Sequence, residues 1–117
     1  MSNSILLDKS KDFALEIIRL CNEVKTNRKE AILTNQLVRS GTSIGANIRE
    51  ANYAHSKPDF VSKLQISLKE CYETEYWFEI MLKADILNDE IAKVSLHNCG
   101  SICRMFVSSI KTIKNKE

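Results

Sequence analysis

Between Gln36 and Ala51 the chain reads Gln-Leu-Val-Arg-Ser-Gly-Thr-Ser-Ile-Gly-Ala-Asn-Ile-Arg-Glu-Ala. Laid on a helix at about 100° per residue, Gln36, Arg39, Ser40, Ser43, Asn47 and Glu50 share one stripe. Leu37, Ile44, Ile48 and Ala51 share the stripe beside it. An ordinary surface helix turns its polar residues away from its apolar face. Here hydrogen-bonding groups adjoin the apolar face, where a neighbouring helix would cover part of them. Such a row can build a polar network, but it does not name a reaction. Further along, Glu75 falls with Leu64, Leu68 and Leu82 on the predicted core side of another helix. A carboxylate buried there needs partners, and Arg39, Gln36, Ser43 and Asn47 are of the right type. Two readings stay open: a structural network that fixes helix register, and a ligand or catalytic pocket in the core built on Arg39 and Glu75.

Other chemistries find less support. A di-iron bundle needs Glu-x-x-His pairs, and none occurs. His97, Cys99 and Cys103 are close in sequence, but on a helix His97 projects roughly 120–160° away from the two cysteines. No metal or cofactor site is therefore expected. Ser40 and Ser43 have no histidine within their helix, and neither His55 nor His97 sits in a recognisable motif, so no nucleophile and base can be paired and no catalytic residue is expected. Gly41 and Gly45 lack the preceding strand and the following Lys-Ser/Thr of a phosphate-binding loop.

The elements that must carry these residues are helices. The chain has 117 residues with only three glycines and one proline, enough for one domain over 1–117 with a real core. Nothing alternates with period two. The first apolar stripe, Leu6, Phe13, Ile17, Leu20, Cys21 and Val24, predicts a helix from about Ser4 to Lys25 with Ser4 or a neighbour as its cap. Asn27 and Glu30 read as a capping box for a second helix ending near Tyr53 or Ala54. Ser56-Lys57-Pro58-Asp59 starts a third, running to about Ala84 with Phe60, Leu64, Leu68, Cys71, Phe78 and Leu82 inward. Asn88 caps a fourth, with Ile91, Cys99, Ile102, Phe106, Ile110 and Ile113 on one side. The short links predict an all-α, up-down-up-down antiparallel four-helix bundle. The start of the chain carries no basic region before an apolar run, and no apolar segment approaches the ~18 residues of a membrane span. The four cysteines then read as reduced, buried thiols in the cytoplasm.

Two surfaces stand out. Gly41 and Gly45 each cost up to ~1 kcal/mol in a helix relative to alanine. Close approach of another backbone, within the bundle or between subunits, would offset that; a kink is the alternative. On the third helix Ile66, Trp77, Ile80 and Met81, beside Glu70 and Glu73, predict a contact surface rather than a merely solvated face. Gly41, Gly45, Ile66, Glu70, Glu73, Trp77 and Met81 are thus the predicted oligomer interface. The net charge is only +2, but the up-down topology gathers Arg49, Lys57, Lys63, Lys111 and Lys114 at one end. If a nucleic acid binds, those five are the predicted contacts.

The block Gln36 to Ala51, then Ser56-Lys57-Pro58-Asp59-Phe60 and Glu70-Cys71-Tyr72-Glu73-Thr74-Glu75-Tyr76-Trp77, resembles the bacterial four-helix-bundle family encoded in intervening sequences of 23S rRNA genes. The shared pattern, Gln-Leu-x-Arg-Ser-x-x-Ser-Ile-x-x-Asn-Ile-x-Glu, is specific, and the resemblance covers nearly the whole chain. It implies a non-enzymatic bundle that assembles into a barrel-like homopentamer. The chain is also similar to the accessory protein of diversity-generating retroelements, a pentameric barrel that associates with RNA and a reverse transcriptase. That implies structured RNA or a ribonucleoprotein as partner. A scaffold that binds only protein is the alternative.

Overall fold

A computed structural model describes residues 2–116, the side chains of residues 2–4 and 89 excepted. It is all-helical: α1 Ser2–Arg28, α2 Ile32–Ala51, α3 Lys57–Lys83 and α4 Asp89–Asn115, with no strand among the described residues. The links 29–31, 52–56 and 84–88 are too short to cross the molecule, so successive helices run antiparallel. Each helix packs on its two neighbours, and α1 and α4 close the square. The resulting rod measures 49 × 21 × 19 Å.

The helix starts follow local chemistry. Ser56 caps α3, its hydroxyl accepting from the Asp59 N–H at 3.2 Å, with Pro58 in the first turn. The Asn88 side chain accepts from the N–H groups of Glu90 and Ile91. The expected Ser4 cap lies outside the described side chains. The α1–α2 turn departs from the Asn27/Glu30 capping box. Asn27 is still inside α1, and Ala31 at the N-cap position has no side chain to offer. Glu30 alone does the work: its carboxylate accepts from the N–H groups of Leu33 and Thr34, both at 3.0 Å. Lys29 (φ 54°) and Asp85 (φ 58°) turn the chain out of α1 and α3 in the left-handed region.

The core is built on Phe13, Phe78 and Phe106 with Leu6, Ile17, Leu37, Ile44, Ile48, Leu64 and Met81, all at most 2% exposed. On α3 the inward face is rotated from the expected one. Val61, Leu64, Ser67, Cys71, Thr74, Phe78 and Met81 are buried, while Phe60, Leu68 and Leu82 only flank the core. Small hydroxyl residues at Ser67 and Thr74 let α3 lie close to α2. That rotation carries Glu75 out of the core. On α4, Ile91 is 46% exposed and Ile113 half-buried, and Ala92, Ser95 and Cys103 share the inside with Cys99, Ile102, Phe106 and Ile110.

Candidate functional site

The polar stripe of α2 faces α3 and is divided into two layers. The inner layer is dry. Thr74 Oγ1 lies 3.0 Å from Ser40 Oγ and 2.7 Å from the Glu70 carbonyl oxygen. The Ser67 hydroxyl donates to the Ile44 carbonyl oxygen at 3.0 Å. Buried hydroxyls of this kind contribute about 1 kcal/mol each when paired and cost more than that when stranded. They fix the register of α2 on α3.

The outer layer is charged. Arg39 forms ion pairs with Glu73 and, at 3.6 Å, with Glu70. Gln36 Oε1 accepts from Arg39 Nε at 3.3 Å. The Trp77 indole N–H donates to Glu73 at 2.9 Å, so one carboxylate serves both arginine and tryptophan. Ser43 and Asn47 turn back on their own helix, donating to the carbonyl oxygens of Arg39 (2.6 Å) and Ser43 (2.8 Å). Glu50 closes the row by accepting from Lys63 at 3.1 Å. The Arg39 side chain is 48% exposed, and ion pairs that wet contribute about 0–1 kcal/mol.

The network therefore has partners other than those the sequence suggested. Glu75 does not meet Arg39. It leans toward α4, where Glu75 Oε2 and an Arg104 guanidinium nitrogen both lie within 4 Å of the place a side chain on Gly100 would occupy. Burial pushes the Glu75 carboxyl above the usual range, the neighbouring Cys103 thiol adds to it, and Arg104 opposes it. Under Glu75, Cys71, Cys99 and Cys103 come together, with Cys99 Sγ donating to the Cys71 carbonyl oxygen at 3.5 Å. Hydrogen bonding to Cys103, reinforced by burial, raises the Cys71 and Cys99 thiols. Burial pushes Cys21 up to about 11, with Lys25 opposing the shift and Glu30 adding to it. All four thiols are free and buried. The shared face of Cys99 and Cys103 was legible from their four-residue spacing; their meeting with Cys71 had no local signal.

The predicted interface residues divide. Gly41 and Gly45 face α1 inside the protomer. A Cβ on Gly41 would stand 3.2 Å from Ile17, and one on Gly45 would stand 3.5 Å from Ser10 and 3.8 Å from its backbone. Neither glycine is open to a neighbouring subunit. Met81 is fully buried, and Trp77 is half-buried. Glu70 and Glu73 are turned to Arg39. Ile66 remains at the surface, 39% exposed, and Tyr72 and Tyr76 join it at 51% and 54%. Among the predicted nucleic-acid contacts, Arg49, Lys57, Lys111 and Lys114 are exposed at the same end, while Lys63 is held by Glu50. Among the described residues no group of three His, Cys, Asp or Glu is placed to hold a metal ion, and no helix is long and apolar enough to cross a membrane.

The class is an all-α antiparallel four-helix bundle. The profile of the 23S rRNA-intervening sequence protein family matches residues 2–108, and the chain belongs to that family. It is similar to the crystal structure of a protein of unknown function from the S23 ribosomal protein family of Bacteroides thetaiotaomicron VPI-5482. The two share 40% identity with a TM-score of 0.92 over 95% of this chain and 99% of that one. No curated protein matches the chain.

Proposed function

We propose that this chain is a non-enzymatic, self-assembling helical bundle of the cytoplasm, pentameric by its resemblance to the barrel-forming accessory proteins, whose basic end binds structured RNA. The observation that carries the RNA reading is the convergence of exposed Lys9, Lys11, Arg49, Lys57, Lys111 and Lys114 from all four helices on one end. The acidic groups nearby are partly engaged: Glu50 by Lys63, and Asp59 by the His55 N–H at 3.3 Å. Arg49 and Lys114 also sit in the last turns of α2 and α4, where a cation stabilises the carbonyl end by about 0.3–1 kcal/mol. That local role accounts for two of the six. A non-enzymatic role fits a seam whose groups are spent on one another: Ser43 on the Arg39 carbonyl, Arg39 on two carboxylates.

The test is the salt dependence of binding to a folded RNA. Each phosphate neutralised adds about 0.9 to the slope of log affinity against log salt. Changing Arg49, Lys111 and Lys114 to glutamine is expected to weaken binding and flatten that slope by about two to three, with helicity unchanged. Equal affinity and slope in variant and parent would place the contact elsewhere. A parent that retains no RNA at low salt would favour the scaffold reading.

A further inference from the structure

The seam between α1 and α4 is the loosest of the four, and it opens into a groove of about 640 Å³. Leu20, Ile91 and Val94 line it, the last two 46% and 61% exposed. Its banks carry Asp12, Glu16, Glu23 and Glu90 against Arg19. Glu16 is fixed there by the Ser95 hydroxyl at 2.5 Å and the Asn98 amide at 3.2 Å. Elsewhere on the bundle, α3 turns outward a ridge of Lys69, Tyr72, Tyr76 and Lys83. These residues are spaced three, four and seven apart, which places them on one helix face. All four are exposed, as is Glu79 on the same face, the one acid of the ridge and a match for Arg19 of the groove. Trp77 braces Tyr76 edge-on with ring centroids 5.2 Å apart.

We propose that the α1–α4 groove receives the α3 ridge of a second copy of this chain, the tyrosines lying over Ile91 and Val94 and the lysines facing the acidic bank. The proposal rests on the self-assembling reading above and supplies its contact. Charge and register both argue for it. Ile17 packs on Gly41, and the adjacent Ser40 meets Thr74, so Ile17 and Thr74 stand level along the rod. Five residues before each, on helices that run the same way, are Asp12 and Lys69. Past them toward the other end come Glu23 and Lys83. Copies set side by side with their axes parallel therefore bring lysine to carboxylate without sliding. Lys69 to Lys83 spans about 21 Å and Asp12 to Glu23 about 16 Å at 1.5 Å per residue, a difference within the reach of a lysine side chain. Ridge and groove are different surfaces, so the contact is head-to-tail. Because α3 adjoins α4, the two surfaces do not point in opposite directions. Successive copies therefore turn, and a turning head-to-tail contact between level copies is the geometry that can close into a ring.

The experiment is charge reversal read by light scattering at micromolar concentration and moderate salt. Lys69→Glu with Lys83→Glu, and separately Asp12→Lys with Glu23→Lys, are surface changes expected to lower the assembled mass to the 13.4 kDa of one chain with unchanged helicity. Combining all four in one chain restores the pairing and is expected to restore the parent mass. An assembled parent whose double variants both keep its mass overturns this contact and leaves self-assembly standing. A quadruple variant that stays monomeric also overturns it. A parent that is itself monomeric overturns both.

Discussion

Glu75 Oε2 stands 3.7 Å and an Arg104 guanidinium nitrogen 3.4 Å from the place a side chain on Gly100 would occupy. Glu75 reads as a core carboxylate in need of an arginine, and the arginine it faces is Arg104 rather than Arg39. Its carboxyl keeps its proton to a higher pH than the ordinary 4.5, because burial and then Cys103 disfavour the charge more than Arg104 favours it. The folded chain thus binds this proton more tightly than the unfolded chain does. Its contribution to stability is present at low pH and fades as pH rises from about 4.5 through the raised value. Glu75→Gln keeps the shape without the charge. We expect it to melt higher than the parent at pH 7 and level with it at pH 4, in thermal scans at both values. A variant that melts lower at pH 7 would mean that Arg104 more than compensates the burial of the carboxylate.

The two glycines of α2 differ in what they require. At Gly45 an added methyl would make ordinary contact, 3.5 Å from Ser10 and 3.8 Å from its backbone. The gain in helix propensity, about 0.5–1 kcal/mol, then prevails. At Gly41 the same methyl stands 3.2 and 3.3 Å from Ile17, a fully buried side chain with little room to give. Urea unfolding is expected to find Gly45→Ala as stable as the parent or up to about 1 kcal/mol more so, and Gly41→Ala clearly below it. A loss at Gly45 would contradict this reading of the α1–α2 contact. Helix number and order, and the starts of α3 and α4, were legible because apolar stripes such as Leu6, Phe13, Ile17 and Val24, and the side-chain caps Ser56 and Asn88, are local signals. The start of α2 was not, since Asn27 continues α1 and Glu30 caps from outside the helix. The phase of α3 was not legible. Ser67 and Thr74 are polar residues that fill the core through hydrogen bonds to α2, and hydropathy places Leu68 and Leu82 there instead. The Arg39–Glu73–Trp77 cluster inherits that rotation. Its residues were all singled out, but as parts of two separate features. The grip of Ser95 and Asn98 on Glu16 joins helices at opposite ends of the chain, and no spacing within either helix announces it.

The rod as a whole is asymmetric along its length and around its girth. Cations from four helices collect at the end formed by the starts of α1 and α3 and the finishes of α2 and α4. A net charge of +2 conceals that separation, which depends on the topology and not on the sum. Around the girth, the tyrosine ridge of α3 and the acidic groove between α1 and α4 are unlike surfaces in matching register. A ring joined by such contacts keeps every basic end on the same side, so the fields of the subunits add into one rim suited to phosphates. Assembly is the premise on which both the contact and the rim depend. The mass of the unmodified chain in solution, by light scattering at micromolar concentration, is therefore the deciding measurement. A homogeneous species at five times the 13.4 kDa of one chain is expected; a mass of 13.4 kDa itself would contradict assembly, and with it the contact and the rim.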